Sequence, residues 1–174
     1  DMQGNLWITL TPSHVADTYK PIDVITYEDK RFYYCNCKTL NLIPSCLAAT
    51  AADRAGCQEA IFHRGDLVTE CAHSNVSIFK DGKVITHQLD DKVLPGTARI
   101  RLLAFAKKLG YGVEERDYTL DELMNADEII VHSTGSFCIP VKTVDGKPVG
   151  GKAPEMLKTI QDALVKDFEE QCKA

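Results

Sequence analysis

Short apolar or alternating runs, typical of β-strands, recur along this chain between stretches with helical periodicity. Turn signals separate them, and the clearest is Asp81-Gly82, which lies between two apolar runs and predicts a hairpin. Gly56 and Gly110 follow two of the helical stretches, where glycine commonly ends a helix. About ten strands mixed with four helices favour an α/β or α+β domain, because both strand faces and helix stripes need burial. We therefore predict a mixed, curled β-sheet with helices packed against it.

The individual elements follow from the same patterns. Thr119 and Glu122 have the spacing of a capping box, which predicts the start of a short helix. The predicted helices cover residues 45–55, 97–109, 119–126 and 154–172. The predicted strands cover residues 5–10, 22–27, 31–36, 60–63, 67–70, 76–79, 84–86, 128–132 and 139–144.

Composition restricts the class of protein and its partners. A chain of 174 residues is long enough for one domain with a real core. The net charge is −5 without a run of lysine or arginine, so we expect neither nucleic acid nor a membrane as a partner. The seven cysteines include no Cys-x-x-Cys pair, so we predict free thiols, a cytoplasmic protein and no metal site. Because the first residue is Asp rather than Met, we expect a fragment of a longer protein.

One lysine, Lys38, follows the strand-like run 31–36 and precedes a helical stretch. Partial burial there would disfavour the ammonium form, lower the pKa and make the amine nucleophilic toward an aldehyde. Taken alone, a solvent-exposed lysine at a strand end is the more frequent arrangement. Lys38 is therefore a candidate nucleophile whose role depends on the residues that follow it.

Glu70 ends an apolar strand and is followed by small and polar residues. A carboxylate in that position can point into a cleft and accept a hydrogen bond from a protonated ring nitrogen. Pyridoxal phosphate needs such a partner when its ring acts as an electron sink. A solvated glutamate at a strand end is the simpler interpretation of Glu70 alone.

Two segments predict an anion site. Leu94-Pro95-Gly96-Thr97-Ala98-Arg99 opens a helix, and free N–H groups at a helix start, together with the dipole, attract phosphate. Gly96 allows a ligand to approach the backbone closely. The hydroxyl-rich turn at residues 132–136 follows an apolar strand and can add further donors. An ordinary helix start and an ordinary turn remain open as alternatives.

These segments belong to a set of short motifs that occur in a characteristic order and spacing. With them, the region from about residue 22 to residue 172 resembles the C-terminal, cofactor-carrying half of the class IV, fold-type IV pyridoxal-phosphate enzymes. Within that family it is most similar to D-amino-acid (D-alanine) aminotransferases. The motifs are Lys38-Thr39-Leu40-Asn41, Glu59-Ala60-Ile61, Leu67-Val68-Thr69-Glu70, Ser74-Asn75-Val76, Leu94-Pro95-Gly96, Ala126-Asp127-Glu128, Ser133-Thr134 and Pro140-Val141.

The resemblance implies a curled pseudo-barrel fold, pyridoxal 5'-phosphate as cofactor, and a role for each matching residue. Lys38 would be the catalytic residue, forming the internal aldimine and moving the substrate proton, and Glu70 would keep the ring nitrogen protonated. Arg31 would lie on the phosphate side. The implied cofactor-binding residues are Lys38, Glu70, Ser74, Thr97, Ala98 and Thr134. The implied reaction moves an amino group between an amino acid such as D-alanine and a 2-oxo acid such as 2-oxoglutarate.

Two departures from the family pattern qualify this expectation. Cys71 stands where glycine usually follows the ring-binding glutamate, and Ala98 stands where a threonine commonly offers its hydroxyl to phosphate. The resemblance also implies that residues 1–21 end an N-terminal domain that lies outside this chain, that residues 22–174 form the cofactor-binding domain, and that the full-length protein is a homodimer. Branched-chain transamination, aminodeoxychorismate lyase chemistry and a catalytically incomplete fragment stay open as alternatives.

Overall fold

The computed structural model describes residues 6–12 and 15–173. The helices are α1 (Ile43–Arg54), α2 (Thr97–Lys108), α3 (Leu120–Met124) and α4 (Pro154–Gln171). The strands are β1 (Ile22–Glu28), β2 (Glu59–Arg64), β3 (Leu67–Cys71), β4 (Asn75–Lys80), β5 (Lys83–Thr86), β6 (Gly112–Glu115), β7 (Glu128–His132), β8 (Ile139–Val144) and β9 (Lys147–Pro148).

The strands form one curled, mixed sheet in the order β3-β2-β1-β8-β7-β4-β5-β6, with β9 paired to β8. The pairs β1–β2, β1–β8 and β5–β6 are parallel, whereas the remaining pairs are antiparallel. The predicted hairpin forms at Asp81-Gly82, where both residues have positive φ angles of 50° and 74°. The predicted sheet type is therefore confirmed.

The sheet buries apolar side chains on both of its faces. Ile78 and Ile129 belong to one buried cluster, whereas their neighbours Phe79 and Ile130 belong to another, because successive strand residues point to opposite faces. Helices α2 and α4 cover the second cluster. Helix α1 instead packs its small residues against Phe62 of β2. The described helices include none that is both long enough and apolar enough to cross a membrane.

Helix α3 begins with the predicted capping box. The Thr119 side chain accepts a hydrogen bond from the Glu122 amide at 3.2 Å, and the Glu122 carboxylate accepts one from the Thr119 amide at 3.0 Å. Each bond pairs an amide that the start of the helix leaves without a backbone acceptor. The prediction from sequence is confirmed at this helix.

Two predicted strands are wrong. Residues 31–36 form a loop, because the Arg31 side chain turns inward to buried carboxylates and Tyr34 adopts a positive φ of 76°. Residues 6–10 are exposed and belong to no strand, and residue 5 lies outside the described residues. The sequence patterns also missed β6 and the two-residue β9, whose lengths are too short for a clear alternation.

The connectivity brings several strand ends and one helix start to the same edge of the sheet. Asn75, the first residue of β4, pairs with His132, the last residue of β7. A tight turn joins β3 to β4, closed by the Cys71 amide, which donates to the Ser74 carbonyl at 2.7 Å. The candidate residues at the end of β3, the end of β7 and the start of α2 therefore share one edge.

Candidate active site

Glu70 is the centre of the polar contacts at this edge. Glu70 is 5% exposed, and its carboxylate accepts three hydrogen bonds. Arg31 donates to one oxygen, whereas the Asn75 side-chain amide and the Leu94 backbone N–H each donate to the other at 2.9 Å. Since a carboxylate offers about four acceptor positions, one position remains for another donor.

The surroundings of Glu70 raise the pKa of its carboxyl group. Burial raises the pKa of the Glu70 carboxyl, while the charge of Arg31 and the amide of Leu94 oppose that shift. A carboxylate with a raised pKa is a stronger hydrogen-bond acceptor for a cationic N–H group. Glu70 is therefore suited to hold a proton on a ring nitrogen that reaches its free acceptor position.

Arg31 is held by a second carboxylate. Its guanidinium donates to both oxygens of Asp29, at 2.9 and 3.0 Å, and lies 4.5 Å from the centre of the Phe62 ring. Burial acts to raise the pKa of Asp29, but the hydrogen bonds and charge of Arg31, together with a hydrogen bond from Arg64, outweigh it and lower the pKa. The sequence-based placement of Arg31 on the phosphate side differs from this arrangement, in which Arg31 orients the Glu70 carboxylate.

Helix α2 begins beside the same carboxylate. Gly96 precedes the helix with extended backbone angles, and no described residue accepts a hydrogen bond from the amides of Thr97 and Ala98. A Cβ added at Gly96 would lie 2.2 Å from the side-chain oxygen of Asn75. Glycine at this position therefore lets Asn75 reach Glu70 while the helix start stays open to a ligand.

The hydroxyl turn, defined as residues 133–138, lies against the start of α2. The hydroxyl groups of Thr97 and Thr134 are 2.9 Å apart. A cavity of about 160 Å³ lies beside them, between α2 and α4. Its lining consists of Thr97, Ala98, Arg101, Thr134, Phe137, Leu164, Asp167, Phe168 and Gln171. We name these three residues, together with Gly96, the anion seat, because amides and hydroxyls converge there.

The other two candidate residues, Lys38 and Ser74, differ in whether they have a hydrogen-bond partner. Lys38 lies in the loop before α1, is exposed, and makes no hydrogen bond or ion pair with another described residue. The expectation of a partly desolvated lysine is therefore wrong for this chain taken alone, since the predicted strand that was to carry it does not form. Ser74 donates to the Glu59 carboxylate at 3.2 Å. The structure thus brings together Glu70 and the anion seat, but gives Lys38 no fixed partner.

Aromatic and aliphatic side chains near Lys38 in the sequence are exposed too. Phe32 and Tyr34 are 69% and 76% exposed, and Leu40 and Ile43 are 94% and 72% exposed. Exposed apolar residues of this size, clustered within a dozen positions, are unusual on the surface of a complete monomeric protein.

Sequence reasoning missed the roles of two contributors to the site. Asn75 joins Glu70 to the start of α2, but an asparagine at a strand start is ordinarily a simple turn signal. Leu94 acts through its backbone amide, which no side-chain pattern reveals. Arg99 points away from the helix start and donates to the Glu115 carboxylate at 2.8 Å and the His87 carbonyl at 3.0 Å.

A second polar cluster anchors the loop that precedes α2. His87, Asp90 and Asp117 place one ligand-type atom each within 4.8 Å of one another. The buried His87 ring contacts the Val68 carbonyl at 2.9 Å and the Asp90 carboxylate at 3.1 Å. Lys92 pairs with Asp90 as well, so a cation already balances that carboxylate.

Comparison with known proteins decides the family. The family profile described as Amino-transferase class IV matches residues 2–144, which is most of the chain. This chain belongs to the class IV aminotransferases. Class IV aminotransferases use pyridoxal 5'-phosphate.

Curated relatives of this class IV aminotransferase chain include D-alanine aminotransferases. The enzyme from Listeria monocytogenes serotype 4b is 41% identical over 150 residues, which are 86% of this chain and 52% of the relative. The enzyme from Bacillus licheniformis is 37% identical over 166 residues, which are 89% of this chain and 59% of the relative. The chain therefore spans a little more than half the length of the curated relatives it matches.

Solved structures show the same fold. The branched-chain amino acid aminotransferase of Escherichia coli has a TM-score of 0.76 and 29% identity, covering 87% of this chain and 52% of that chain. A fold IV transaminase from Curtobacterium pusillum has a TM-score of 0.72 and 25% identity, covering 80% of this chain and 51% of that chain.

The residues of the site fit a phosphorylated pyridine. Glu70 keeps one acceptor position for a ring N–H, and the unpaired amides of Thr97 and Ala98 suit a phosphate dianion. Gly96 leaves room for the Asn75 side chain, which a Cβ at this position would displace. Ala98 lacks the hydroxyl expected from the family pattern, and the hydroxyl groups beside its amide belong to Thr97 and Thr134.

Proposed function

We propose that this chain is the cofactor-binding part of an aminotransferase that moves an amino group between a D-amino acid, such as D-alanine, and a 2-oxo acid, such as 2-oxoglutarate. The observation that carries the proposal is the buried Glu70 carboxylate, oriented by Arg31 and Asn75 beside an open helix start. The D-alanine aminotransferases among its relatives support the choice of substrate.

In this proposal the cofactor supplies an aldehyde that accepts the amino group and a ring that withdraws electrons from the substrate. Glu70 keeps a proton on the ring nitrogen, because its buried carboxylate is a strong acceptor. Thr97, Ala98 and Thr134 bind the phosphate. Lys38 would hold the cofactor through its amine and, once that amine is released, would move a proton to and from the substrate carbon.

Lys38 and the apolar side chains near it are exposed, so they form a surface that another domain can cover. We propose that residues 1–21 end an N-terminal domain, that residues 22–174 are the cofactor-binding domain, and that the N-terminal domain covers the exposed side chains around Phe32 and Leu40. Covering them would exclude water from the Lys38 amine. We further propose that the full-length protein is a cytoplasmic homodimer. All seven cysteines are free, which agrees with a reducing compartment.

Transamination of D-alanine against L-alanine tests the substrate proposal, using the full-length protein and 2-oxoglutarate as acceptor. We expect pyruvate from D-alanine and little from L-alanine. A preference for L-leucine would instead support branched-chain transamination. Pyruvate release from aminodeoxychorismate, without an amino acceptor, would support lyase chemistry.

Borohydride reduction tests the role of Lys38. With pyridoxal 5'-phosphate added, we expect a yellow protein and, after reduction, a mass increase on the peptide that contains Lys38. The variant Lys38→Ala should lose both signals, whereas Lys142→Ala, which alters an exposed lysine on β8, should keep them. A colourless wild-type protein would support the alternative of a fragment that does not bind cofactor.

A further inference from the structure

The hydroxyl turn contains a strained residue at its end. Phe137 has a φ of 40°, a region that bulky residues rarely occupy. Its amide donates to the Ser133 carbonyl at 3.0 Å, and its ring lies 5.0 Å from the ring of Phe168 in α4. Because strained backbone persists only when neighbouring structure holds it, contacts from outside the turn must stabilise this conformation.

A segment far upstream in the sequence supplies some of those contacts. The Thr18 hydroxyl donates to the Cys138 carbonyl at 2.9 Å and accepts from the Cys138 amide at 3.1 Å. Two residues earlier, the Ala16 amide donates to the Gly135 carbonyl at 3.0 Å. Thr18 is 3% exposed and Cys138 is fully buried, so water does not compete for these bonds.

Gln161 of α4 joins the two segments. Its side-chain amide donates to the Thr18 carbonyl at 2.7 Å and to the Cys138 carbonyl at 3.0 Å. Gln161 is 3% exposed although it is polar and lies on an otherwise apolar helix face. Removing its amide would leave two buried carbonyls without that donor, which is costly in a buried site.

The network therefore joins two elements, the segment with Ala16 and Thr18 and helix α4, to the turn that carries Thr134. We propose that Thr18 and Gln161 are positioning residues for the anion seat. They hold the end of the hydroxyl turn, so that the Thr134 hydroxyl stays within reach of Thr97 and of an anion on the amides of α2. This inference rests on the proposed function, because it assigns the phosphate of the cofactor to the anion seat.

Through these hydrogen bonds, the segment that contains Thr18 would also affect binding at the anion seat. Thr18 lies within residues 1–21, which we predict to end the N-terminal domain. A displacement of this segment would release Cys138 and, through the turn, move Thr134. The affinity of the anion seat for phosphate would then depend on the position of the residues that precede Thr18 in the full-length protein.

The test compares the phosphorylated cofactor with its dephosphorylated form, pyridoxal. Affinities of the full-length protein for both aldehydes are measured from the absorption band and from the borohydride-dependent mass increase on Lys38. We expect Thr18→Val and Gln161→Met to weaken pyridoxal phosphate binding about tenfold, which corresponds to 1.4 kcal/mol, with pyridoxal binding unchanged. Inorganic phosphate should compete about tenfold less well in both variants.

Matched variants separate positioning from general damage. Thr18→Ser keeps the hydroxyl and should restore the wild-type preference for the phosphorylated aldehyde. Thr159→Val, which changes an exposed threonine of α4 whose hydroxyl donates to the Glu155 carbonyl of the same helix, should have no effect on it. Thermal unfolding shows which variants are folded. If both Thr18→Val and Gln161→Met unfold, the affinities for the two aldehydes are measured in Gln161→Asn instead, and the same weakening of pyridoxal phosphate binding is expected.

The outcomes distinguish the two ideas. If the wild-type protein prefers pyridoxal phosphate and the folded variants keep the full preference, the positioning role is overturned while the proposed function stands. If the wild-type protein binds both aldehydes equally, the phosphate is not held by the anion seat, and both ideas are overturned.

Discussion

The side-chain amide of Asn75 donates to the Glu70 carboxylate at 2.9 Å, while its oxygen fills the space beside Gly96 at the start of α2. One side chain thus couples the group that would bind the pyridine ring to the helix that would bind the phosphate. The spacing between the two ends of the cofactor site depends on this contact, because Asn75 also donates to the Leu94 carbonyl at 2.9 Å.

Substitution Gly96→Ala should weaken pyridoxal phosphate binding by about tenfold or more, since the new Cβ would displace Asn75 from Glu70. A double-mutant cycle supplies the control. In the background Asn75→Ala, the obstructing oxygen is gone, so Gly96→Ala should cost much less. Additive losses in cofactor affinity, measured by titration, would contradict this coupling.

Substitution Arg31→Met should lower the free energy of unfolding by roughly 3 kcal/mol near neutral pH, because it leaves Asp29 and Glu70 buried without that cation. The pKa of Asp29 is lowered in the folded protein, so its contribution is present above pH 4 and is lost as the pH falls through its folded pKa. The deficit of the variant should therefore shrink in acid.

Denaturant titrations from pH 7 to pH 3 measure this dependence. The matched control is Lys30→Met, which removes an exposed ion pair with Glu28 and should change stability little. A deficit for Arg31→Met that stays constant over this range would show that lost packing, rather than charge, accounts for the effect.

His132 should make the protein sensitive to acid. Burial lowers the pKa of its imidazole to about 3, and Arg99 acts in the same direction. Its ring contacts Ser77 at 2.9 Å, and its Nδ1 has no hydrogen-bond partner among the described residues. The unfolded chain binds this proton near pH 6.5, so stability should fall with pH between about 6.5 and 3, by up to about 1.4 kcal/mol per pH unit.

Stability measured against pH in the variant His132→Gln tests that expectation, since glutamine retains polarity without titrating. The slope between pH 6.5 and pH 4 should become shallower than in the wild-type protein. His73→Gln, which changes a largely exposed histidine, should leave the slope as it was. Equal slopes for all three proteins would contradict the buried, neutral state of His132.

Substitution Glu70→Gln should keep most of the hydrogen bonds to Asn75 and Leu94 but remove the negative charge opposite the ring nitrogen. We expect cofactor binding to persist, while single-turnover transamination in the full-length protein slows by about a hundredfold or more. A variant that retains the wild-type rate would exclude Glu70 as the partner of the ring nitrogen.

The sequence alone determined the local features of this protein. Its helices, its Asp-Gly hairpin and the capping box at Thr119 depend on neighbouring residues, and the structure confirms them, whereas two of the predicted strands do not form. The ordered motifs identified Glu70, Thr97 and Thr134 as candidates, because each family residue occupies a characteristic place in the chain.

Only the tertiary structure decided how these candidates are connected. Arg31 does not form the predicted strand, because its charged side chain binds the carboxylates of Asp29 and Glu70. Glu70 is far from Arg31 in the sequence, so this contact arises only in the folded chain. The backbone amide of Leu94 acts on Glu70 through space, and no side-chain pattern encodes that contact. The exposure of Lys38 likewise depends on what packs over its loop, which is a property of the assembled molecule rather than of adjacent residues.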